Sequence, residues 1–412
     1  MRTTGARATF TIVALVLLPA SGCEVAKDRN PDPTAPLARD TVLGPFLSAY
    51  WRLPVPFQGE RPPGFTDVDA SLEPETCRAC HPTQYAQWRT SLHAEAFSPG
   101  FAGQLIEGDL AGPLPLRACQ TCHAPLEEQQ PVGPAGAGRP AHDAGLRGMG
   151  IVCAACHVRA HRRYGPPRRP DLPPLPEEVA HGGFEQRPEF HESRFCAERH
   201  QFFDDPGVNG KPIENTFAEW SASPQAAAGR SCQDCHMPDR QHLWRGIHDA
   251  EMVKQGVDSD LQLQPTEGDT VEAALLLRNR DVGHAFPTYV TPRVFLDVFQ
   301  VDSGGREVPE TRVSGVIARQ VDLRSGVEIA DTRVLPGETT QLLYRLPRAA
   351  NATALVGRVT IDPDFHYRGV FATLLETYTD PAALRLIAEA SERISTSTYV
   401  FAEIRRPLDA ED

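Results

Sequence analysis

Four copies of one five-residue pattern, Cys-x-x-Cys-His, constrain this chain more than any other feature of its 412 residues. Their eight thiols are Cys77, Cys80, Cys119, Cys122, Cys153, Cys156, Cys232 and Cys235, and the histidines that follow are His81, His123, His157 and His236. Two thiols three positions apart reach the two vinyl groups of a porphyrin, and the adjacent imidazole binds the iron from the same side. A zinc ribbon or a thioredoxin-like redox pair gives no reason for the repeated histidine. The motifs therefore predict four covalently bound haem c groups, with the thiols as thioethers and the histidines as proximal iron ligands.

A fifth, degenerate copy lies at Cys196-Ala-Glu-Arg199-His200, where arginine replaces the second cysteine. The five motif starts are separated by 42, 34, 43 and 36 residues, whereas omission of residue 196 would leave a gap of 79. This regular spacing favours a decayed haem motif over an unrelated buried cysteine. Because a bulky side chain replaces one thiol, we expect this site to be empty of haem and Cys196 to be a reduced thiol. Arg199 would then be able to pair with a haem propionate. Five haems is the alternative.

The N-terminus predicts export. Arg2 and Arg7 precede an apolar run at 10–18, which is shorter than the ~20 residues of a membrane-spanning helix. Small residues before Cys23 resemble a bacterial lipobox, although Ala20 stands where leucine is usual. Residues 1–22 are therefore predicted to be a lipoprotein signal peptide, and Cys23 the lipidated anchor in a bilayer. An ordinary cleaved signal is the alternative, and either one places the protein in the periplasm or at the cell envelope.

Patterning along the rest of the chain predicts an α+β multidomain fold. Residues 23–65 are Pro-rich and read as a tether, and 66–255 read as a loop-rich, mainly helical domain that holds every haem motif. From 256 to 412 apolar residues alternate, as at 271, 273, 275 and 277, with a turn signal at 302–305. This pattern predicts an immunoglobulin-like β-sandwich. A C-terminal helix begins at Asp380-Pro381, and a last strand near 399–404 returns to the sheet.

Three segments carry a family resemblance. The run from Cys77 through Tyr85, Trp88 and His93, and the run Ser231–Pro238, resemble exported multihaem cytochromes c of the cytochrome c-554 (c-552/4) type. The later Gly283-His284-Ala-Phe-Pro287-Thr288 resembles a segment of the β-domain that such cytochromes often carry. The resemblance covers about 70–300. It implies closely packed haems, with one or two histidine ligands each, that move electrons in the periplasm.

The sixth iron ligands must come from histidines outside the motifs. The favoured candidates are His93, His161, His248 and His284, with His242 as the runner-up to His248. His93 follows an aromatic, helix-compatible run, and His284 would reach a haem across the domain interface. His161 and His248 are chosen because they resemble positions of the family pattern. His142, His181, His191 and His366 are less favoured, and a surface or hydrogen-bonded histidine is the alternative for each candidate.

These residues predict an electron-transfer cytochrome, because iron with two histidine ligands exchanges electrons without binding a substrate. Its expected partners are redox proteins of the cell envelope. The net charge of −13 argues against nucleic acid. One alternative is a multihaem oxidoreductase in which one open-site haem acts on a small nitrogen or sulfur oxide. Another is a binding protein in which haem is structural. The sequence assigns no catalytic residue.

Overall fold

The structure is a computed structural model that describes residues 37–111, 116–130, 144–171, 180–203, 207–266, 268–322 and 325–408. The predicted signal peptide, Cys23 and His142 lie outside these ranges. Within them, a helical first part is followed by a part rich in antiparallel sheets, which confirms the predicted α+β multidomain fold. No helix of the described ranges is long and apolar enough to cross a bilayer.

The first part consists of short helices joined by long loops. The helices are α1 (Arg39–Tyr50), α2 (Asp67–Ala70), α3 (Pro74–Arg78), α4 (Pro82–Trp88), α5 (Pro99–Ala111), α6 (Leu116–His123), α7 (Ala144–Arg147), α8 (Cys153–His157), α9 (Arg194–His200), α10 (Thr216–Ser221), α11 (Pro224–Ala227), α12 (Cys232–His236) and α13 (Ala250–Gly256). Three short strands, β1 (Val158–Arg159), β2 (Arg162–Gly165) and β3 (Glu185–Gln186), form a small sheet between them. Helical 3-10 turns lie at Glu127–Gln129, Ala180–Gly182, Pro188–His191 and Pro238–Arg240.

Helix α1 lies inside the range 23–65 that was predicted to be a tether. Residues 23–65 were expected to lack packed structure, but Leu43, Leu47 and Tyr50 of this helix are buried and pack in one apolar cluster with residues of α9. Their spacing of four and three positions is the apolar stripe of an amphipathic helix. Pro45 and the left-handed Gly44 (φ 68°) interrupt the helix and obscure that stripe in the sequence. The tether prediction is therefore wrong from residue 39 onward.

The second part is a sandwich of two antiparallel sheets. Its elements are β4 (Val257–Gln264), β5 (Thr270–Asn279), β6 (Arg293–Val301), β7 (Val313–Ile317), β8 (Arg319–Asp322), β9 (Val327–Asp331), β10 (Thr339–Pro347), β11 (Ala354–Asp362), α14 (Phe365–Thr377), α15 (Pro381–Ile394) and β12 (Tyr399–Pro407). One sheet has the order β10-β5-β4 and the other β12-β11-β6-β7, while β8 and β9 form a separate hairpin. The predicted alternating residues of β5 are buried between the sheets. The β-sandwich is thus confirmed.

The C-terminal helix begins where the sequence predicts. The carboxylate of Asp380 accepts hydrogen bonds from the backbone N–H groups of Ala382 and Ala383, at 2.7 and 3.0 Å, and Pro381 occupies the first turn. This N-cap satisfies donors that a helix start leaves unpaired. Helix α14, which the sequence analysis did not predict, packs against α15 in a small apolar cluster.

Helices α14 and α15 join the sandwich to the haem-motif domain through α5. Gly100 and Gly103 of α5 permit the close approach, because a Cβ atom at Gly100 would lie only 2.5 Å from the ring of Phe371. The carboxylate of Glu107 on α5 also accepts the backbone N–H groups of Thr379 and Asp380, at 3.1 and 3.0 Å. The sandwich is therefore packed against the helix that precedes the second motif.

Candidate haem sites

The motif histidines lie at equivalent places on their helices. His123, His157 and His236 are the last residues of α6, α8 and α12, and His200 of the degenerate copy is the last residue of α9. The first motif straddles α3 and α4, so that His81 is the N-cap of α4. In four of the five copies, the first cysteine and the histidine are therefore four positions and about one turn apart, on the same face of a helix. This is the arrangement that haem attachment requires.

Six histidines share one hydrogen-bond pattern, in which Nδ1 contacts a backbone carbonyl. The contacts are His123 to Ala96 (2.5 Å), His157 to Tyr164 (2.7 Å), His181 to Gly183 (2.9 Å), His236 to Arg245 (2.7 Å), His242 to Arg240 (2.9 Å) and His284 to Ala285 (3.0 Å). An Nδ1–H that donates to a carbonyl leaves the lone pair on Nε2. That is the tautomer by which metal-bound histidines are usually oriented.

Three pairs of imidazoles face one another at nearly the same separation. Ring centroids are 6.1 Å apart for His157 and His242, 6.4 Å for His236 and His284, and 6.4 Å for His93 and His200. Metal–imidazole bonds are about 2 Å long and a ring centroid lies about 1 Å from its nitrogens, so two imidazoles on opposite sides of one iron place their centroids roughly 6 Å apart. All three pairs fit this requirement.

The paired imidazoles lie in surroundings that favour their neutral form. Burial lowers the pKa of His93 to about 3 and the pKa of His242 to about 4. The ring of His200 retains accessible surface, yet the protein around it removes enough water to lower its pKa to about 4. Burial also lowers the pKa values of His157, His236 and His284. A neutral imidazole is the form that binds a metal ion.

Two predicted distal ligands lie elsewhere. His161 is buried in a turn with φ 60°, and its Nε2 is 3.3 Å from the carbonyl of Gly59. The Nε2 of His248 lies 3.2 Å from both carboxylate oxygens of Asp364. In both residues the nitrogen that would bind iron contacts an oxygen of the protein instead, and neither ring faces a motif histidine. The structure thus brings neither His161 nor His248 opposite a motif histidine, and places the runner-up His242 opposite His157.

The three less favoured histidines within the described ranges each have a different environment. Burial lowers the pKa of His81, and an interaction with His181 contributes in the same direction. The Nδ1–carbonyl contact of His181 matches that of the paired histidines. The Nε2 of His191 lies 3.1 Å from a guanidinium nitrogen of Arg240. His366 lies on α14 and contacts the ring of Tyr367. His181 is thus placed near the first motif, a location that its separation of 100 residues from His81 concealed.

The second motif has a different neighbourhood. The ring of Phe101, on α5, stacks on His123 with centroids 4.3 Å apart and an angle of 12°. Tyr289 interacts electrostatically with Cys119 of this motif, and Glu214 and Tyr367 interact in turn with Tyr289. Burial raises the pKa of Glu214 to about 7. Acidic and phenolic groups thus gather beside this motif.

Contacts connect the motif copies into one cluster. The thiol of Cys77 interacts with that of Cys153, and the thiol of Cys196 with that of Cys232. Arg199 of the degenerate copy donates to the carbonyl of Cys122 in the second motif at 3.1 Å. A ring contact also links two sites, because Trp244 lies edge-on to His93 at 4.6 Å and to His242 at 5.1 Å. Groups bound at these motifs would therefore lie next to one another.

Contacts from both domains position His284. Asn279 of the sandwich donates to the His284 carbonyl at 2.9 Å, and Glu219 of α10 accepts the backbone N–H of the next residue, Ala285, at 3.1 Å. The same carboxylate pairs with Arg333 at 2.8 Å, and both side chains of this ion pair are buried, at 5% and 6% exposure. The predicted approach of His284 across the domain interface thus rests on a buried polar network.

The donor set fits covalent haem. Cysteine pairs stand beside histidines on helix ends, and imidazoles face three of the five motif histidines at the separation that one iron requires. Two of these facing imidazoles, His242 and His284, also have the Nδ1–carbonyl contact typical of metal-bound histidine. Within the described ranges, no group of three or more histidine, cysteine, aspartate or glutamate side chains is arranged to hold a metal ion. The ligand assignments themselves remain predictions.

Comparisons with known proteins agree with this geometry. Residues 76–158 match the family model described as cytochrome c554 and c-prime. The fold is similar to a penta-haem cytochrome c552 from Thermochromatium tepidum, with a TM-score of 0.57 and 20% sequence identity over 83% of this chain and 100% of that chain. A comparison with curated proteins gave no significant match. Four intact attachment motifs, the family match over residues 76–158 and the similar fold support a multihaem c-type cytochrome with a C-terminal β-sandwich domain.

Proposed function

We propose that this protein is an exported, lipid-anchored electron carrier of the periplasm or cell envelope, whose partners are other redox proteins. Bound haem supplies reversible one-electron exchange at iron. The chain holds imidazoles in pairs, keeps them neutral by burial and packs the motif copies together. These features suit electron transfer between neighbouring sites without binding of a substrate.

The three imidazole pairs are the observation that carries this proposal. A pair that fills both axial positions leaves no iron position for a substrate. The pairs of His157 with His242 and of His93 with His200 are linked by Trp244, and the latter pair adjoins the fourth motif through the thiols of Cys196 and Cys232. A continuous series of closed sites is what a carrier needs.

Spectroscopy with a redox titration tests this proposal. We expect electron paramagnetic resonance of the oxidised holoprotein to show mainly low-spin iron, and a potentiometric titration to show one reversible electron per haem. Dominant high-spin iron, or haems that a chemical mediator cannot reduce, would contradict a carrier.

The anchor is tested separately. The Cys23→Ser variant should move from the membrane fraction to the soluble fraction or stay unprocessed, because it cannot accept a lipid. Mass spectrometry that finds an unmodified mature N-terminus at another residue would exclude the lipobox, while leaving the electron-transfer proposal unaffected.

A second candidate function concerns the second motif. Glu214, Tyr289 and Tyr367 gather there, and a carboxyl group with a pKa of about 7 exchanges protons readily near neutral pH. Such groups favour an oxidoreductase in which the site of His123 acts on a small nitrogen or sulfur oxide. A high-spin signal that cyanide or nitrite converts to low spin would support this function, and identical spectra with and without these probes would exclude it.

A further inference from the structure

We infer that Cys196, His200 and His93 hold a fifth haem, attached through a single thioether. This inference rests on the proposed function and reverses the expectation from the sequence that the degenerate site is empty. It concerns the one motif copy in which Arg199 stands where the second cysteine would be.

The first argument is the axial pair. His93 and His200 face each other with ring centroids 6.4 Å apart, the same separation as for His236 and His284, whose motif is intact. A histidine that had lost its metal would be free to seek a protein partner through Nε2, as His248 does with Asp364. The pair instead keeps the spacing that one iron between two imidazoles requires.

The second argument is how His93 is held. Its backbone carbonyl accepts the N–H of Ile151 at 2.9 Å, and the preceding Gly150 adopts φ 64°. A Cβ atom at Gly150 would lie 2.7 Å from that carbonyl oxygen, so only glycine permits the approach. The tryptophan of the same helix–loop segment, Trp88, donates to the carbonyl of Ile151 at 2.7 Å. The position of His93 is thus fixed by packing that does not depend on Cys196.

The third argument is the packing of the degenerate copy. The side chain of Cys196 lies beside that of Cys232 and interacts with it, just as Cys77 does with Cys153. The second contact joins two intact motifs, so the first cysteine of the degenerate copy occupies the place of an intact one. A cysteine that had lost its role would have no reason to keep this arrangement.

Arg199 takes over part of the structural role of the missing thiol. Its Nη1 donates to the carbonyls of Thr121 and Cys122, at 3.2 and 3.1 Å, which ties α9 to the second motif. The guanidinium lies over the ring of Trp51 at 5.2 Å, and its Nη2 is buried without a hydrogen-bond partner in the described part of the chain. A buried guanidinium nitrogen needs an acceptor, and a haem propionate is an anion of suitable geometry. The arginine therefore fits a site that contains haem.

The chemistry of one thioether is complete without an oxidant. The Cys196 thiol adds across one vinyl group, so that a carbon–sulfur bond forms, the thiol hydrogen moves to the other vinyl carbon, and the carbon–carbon double bond becomes single. The second vinyl group remains unreacted, because Arg199 offers no thiol. Such a haem differs measurably from one with two thioethers.

The test is intact mass spectrometry of the unfolded mature holoprotein, together with its pyridine haemochrome spectrum. We expect the mass of five haems, and a haemochrome band broadened to longer wavelength by the single remaining vinyl group. Arg199→Cys should keep five haems and remove that broadening. Arg194→Cys on the same helix serves as the control and should change neither reading. Cys196→Ala should lose one haem mass after unfolding.

Three results would overturn the inference: four haem masses with Cys196 open to alkylation, five haem masses that persist in Cys196→Ala, or a rise from four to five only in Arg199→Cys. The potentiometric titration separates this failure from that of the proposed function. Four reversibly reducible haems would refute the fifth site alone, whereas haems that do not exchange electrons would refute the carrier.

Discussion

The buried ion pair between Glu219 and Arg333 offers the sharpest test of how the sandwich positions a haem ligand. Glu219→Ala removes the partner of a guanidinium that is only 6% exposed, and leaves the buried N–H of Ala285 without its acceptor. Breaking one side of a buried ion pair costs about 3–5 kcal/mol. Arg333 keeps Asp331 as a second partner at 2.9 Å, so we expect the lower half of that range.

This loss of folding free energy lowers the melting temperature, Tm. For a domain of roughly 150 residues, 1 kcal/mol changes Tm by about 2–4 °C, so Glu219→Ala should lower the Tm of the sandwich by roughly 10 °C. Circular dichroism on heating measures the shift. Glu272→Ala breaks a comparable ion pair with Arg345 on the exposed faces of β5 and β10, at 34% and 78% exposure, and should lower Tm by only ~1–2 °C.

A second reading separates positioning from stability. Because Glu219 fixes the residue after His284, its loss at temperatures below unfolding should convert part of one haem from low to high spin. Equal Tm values for Glu219→Ala and Glu272→Ala would refute the argument from burial. An unchanged low-spin spectrum, with the expected Tm shift, would show that the ion pair joins the domains without positioning the ligand.

Three further outcomes follow from the site. His284→Ala should turn one haem high-spin in the paramagnetic resonance spectrum while His248→Ala leaves the spectrum unchanged, and the reverse result would restore the original assignment. His242→Ala should likewise convert one haem, whose proximal ligand is His157; a fully low-spin spectrum would exclude that pair. Burial raises the pKa of Glu214 from its ordinary 4.5 to about 7, so the folded state holds an extra proton between these values. Stability from this group is full below about pH 4.5 and is lost as the pH rises through 7. Tm measured against pH should therefore fall less steeply over this range in Glu214→Gln, and parallel curves would contradict the raised pKa.

The attachment motifs and the sandwich could be predicted from sequence because their rules are local. Two thiols and a histidine on one helical turn define a haem motif without knowledge of the rest of the fold. The period-two pattern of β5 and the Asp380-Pro381 helix start are equally local, and both are confirmed. Helix α1 was not predicted because Gly44 and Pro45 interrupt its apolar pattern, although the residues of that pattern are buried in an apolar cluster.

Which histidines face the motif histidines depends on tertiary structure and does not follow from nearness in sequence. His161 follows His157 by four residues, but its left-handed turn directs the ring to Gly59. His242 and His248 differ in which ring nitrogen meets the protein: Nδ1 contacts the carbonyl of Arg240 in the first, and Nε2 contacts Asp364 in the second. A sequence cannot show this choice, because the partner is a backbone carbonyl two residues away in one case and a side-chain carboxylate 116 residues away in the other.

The same distinction explains why the degenerate motif can keep a haem. A thioether and an axial ligand depend on different constraints: the thiol must be present in the local sequence, whereas the imidazole pair must be held by packing. Loss of the second thiol at position 199 removes one of two covalent links and leaves the Cys196 link and both imidazoles in place. Loss of His200 or His93 would instead remove a bond to iron and leave the opposite ring without its partner. Of the positions at this site, the second thiol is therefore the one whose replacement the bound group tolerates best, and it is the one at which this chain differs from an intact motif.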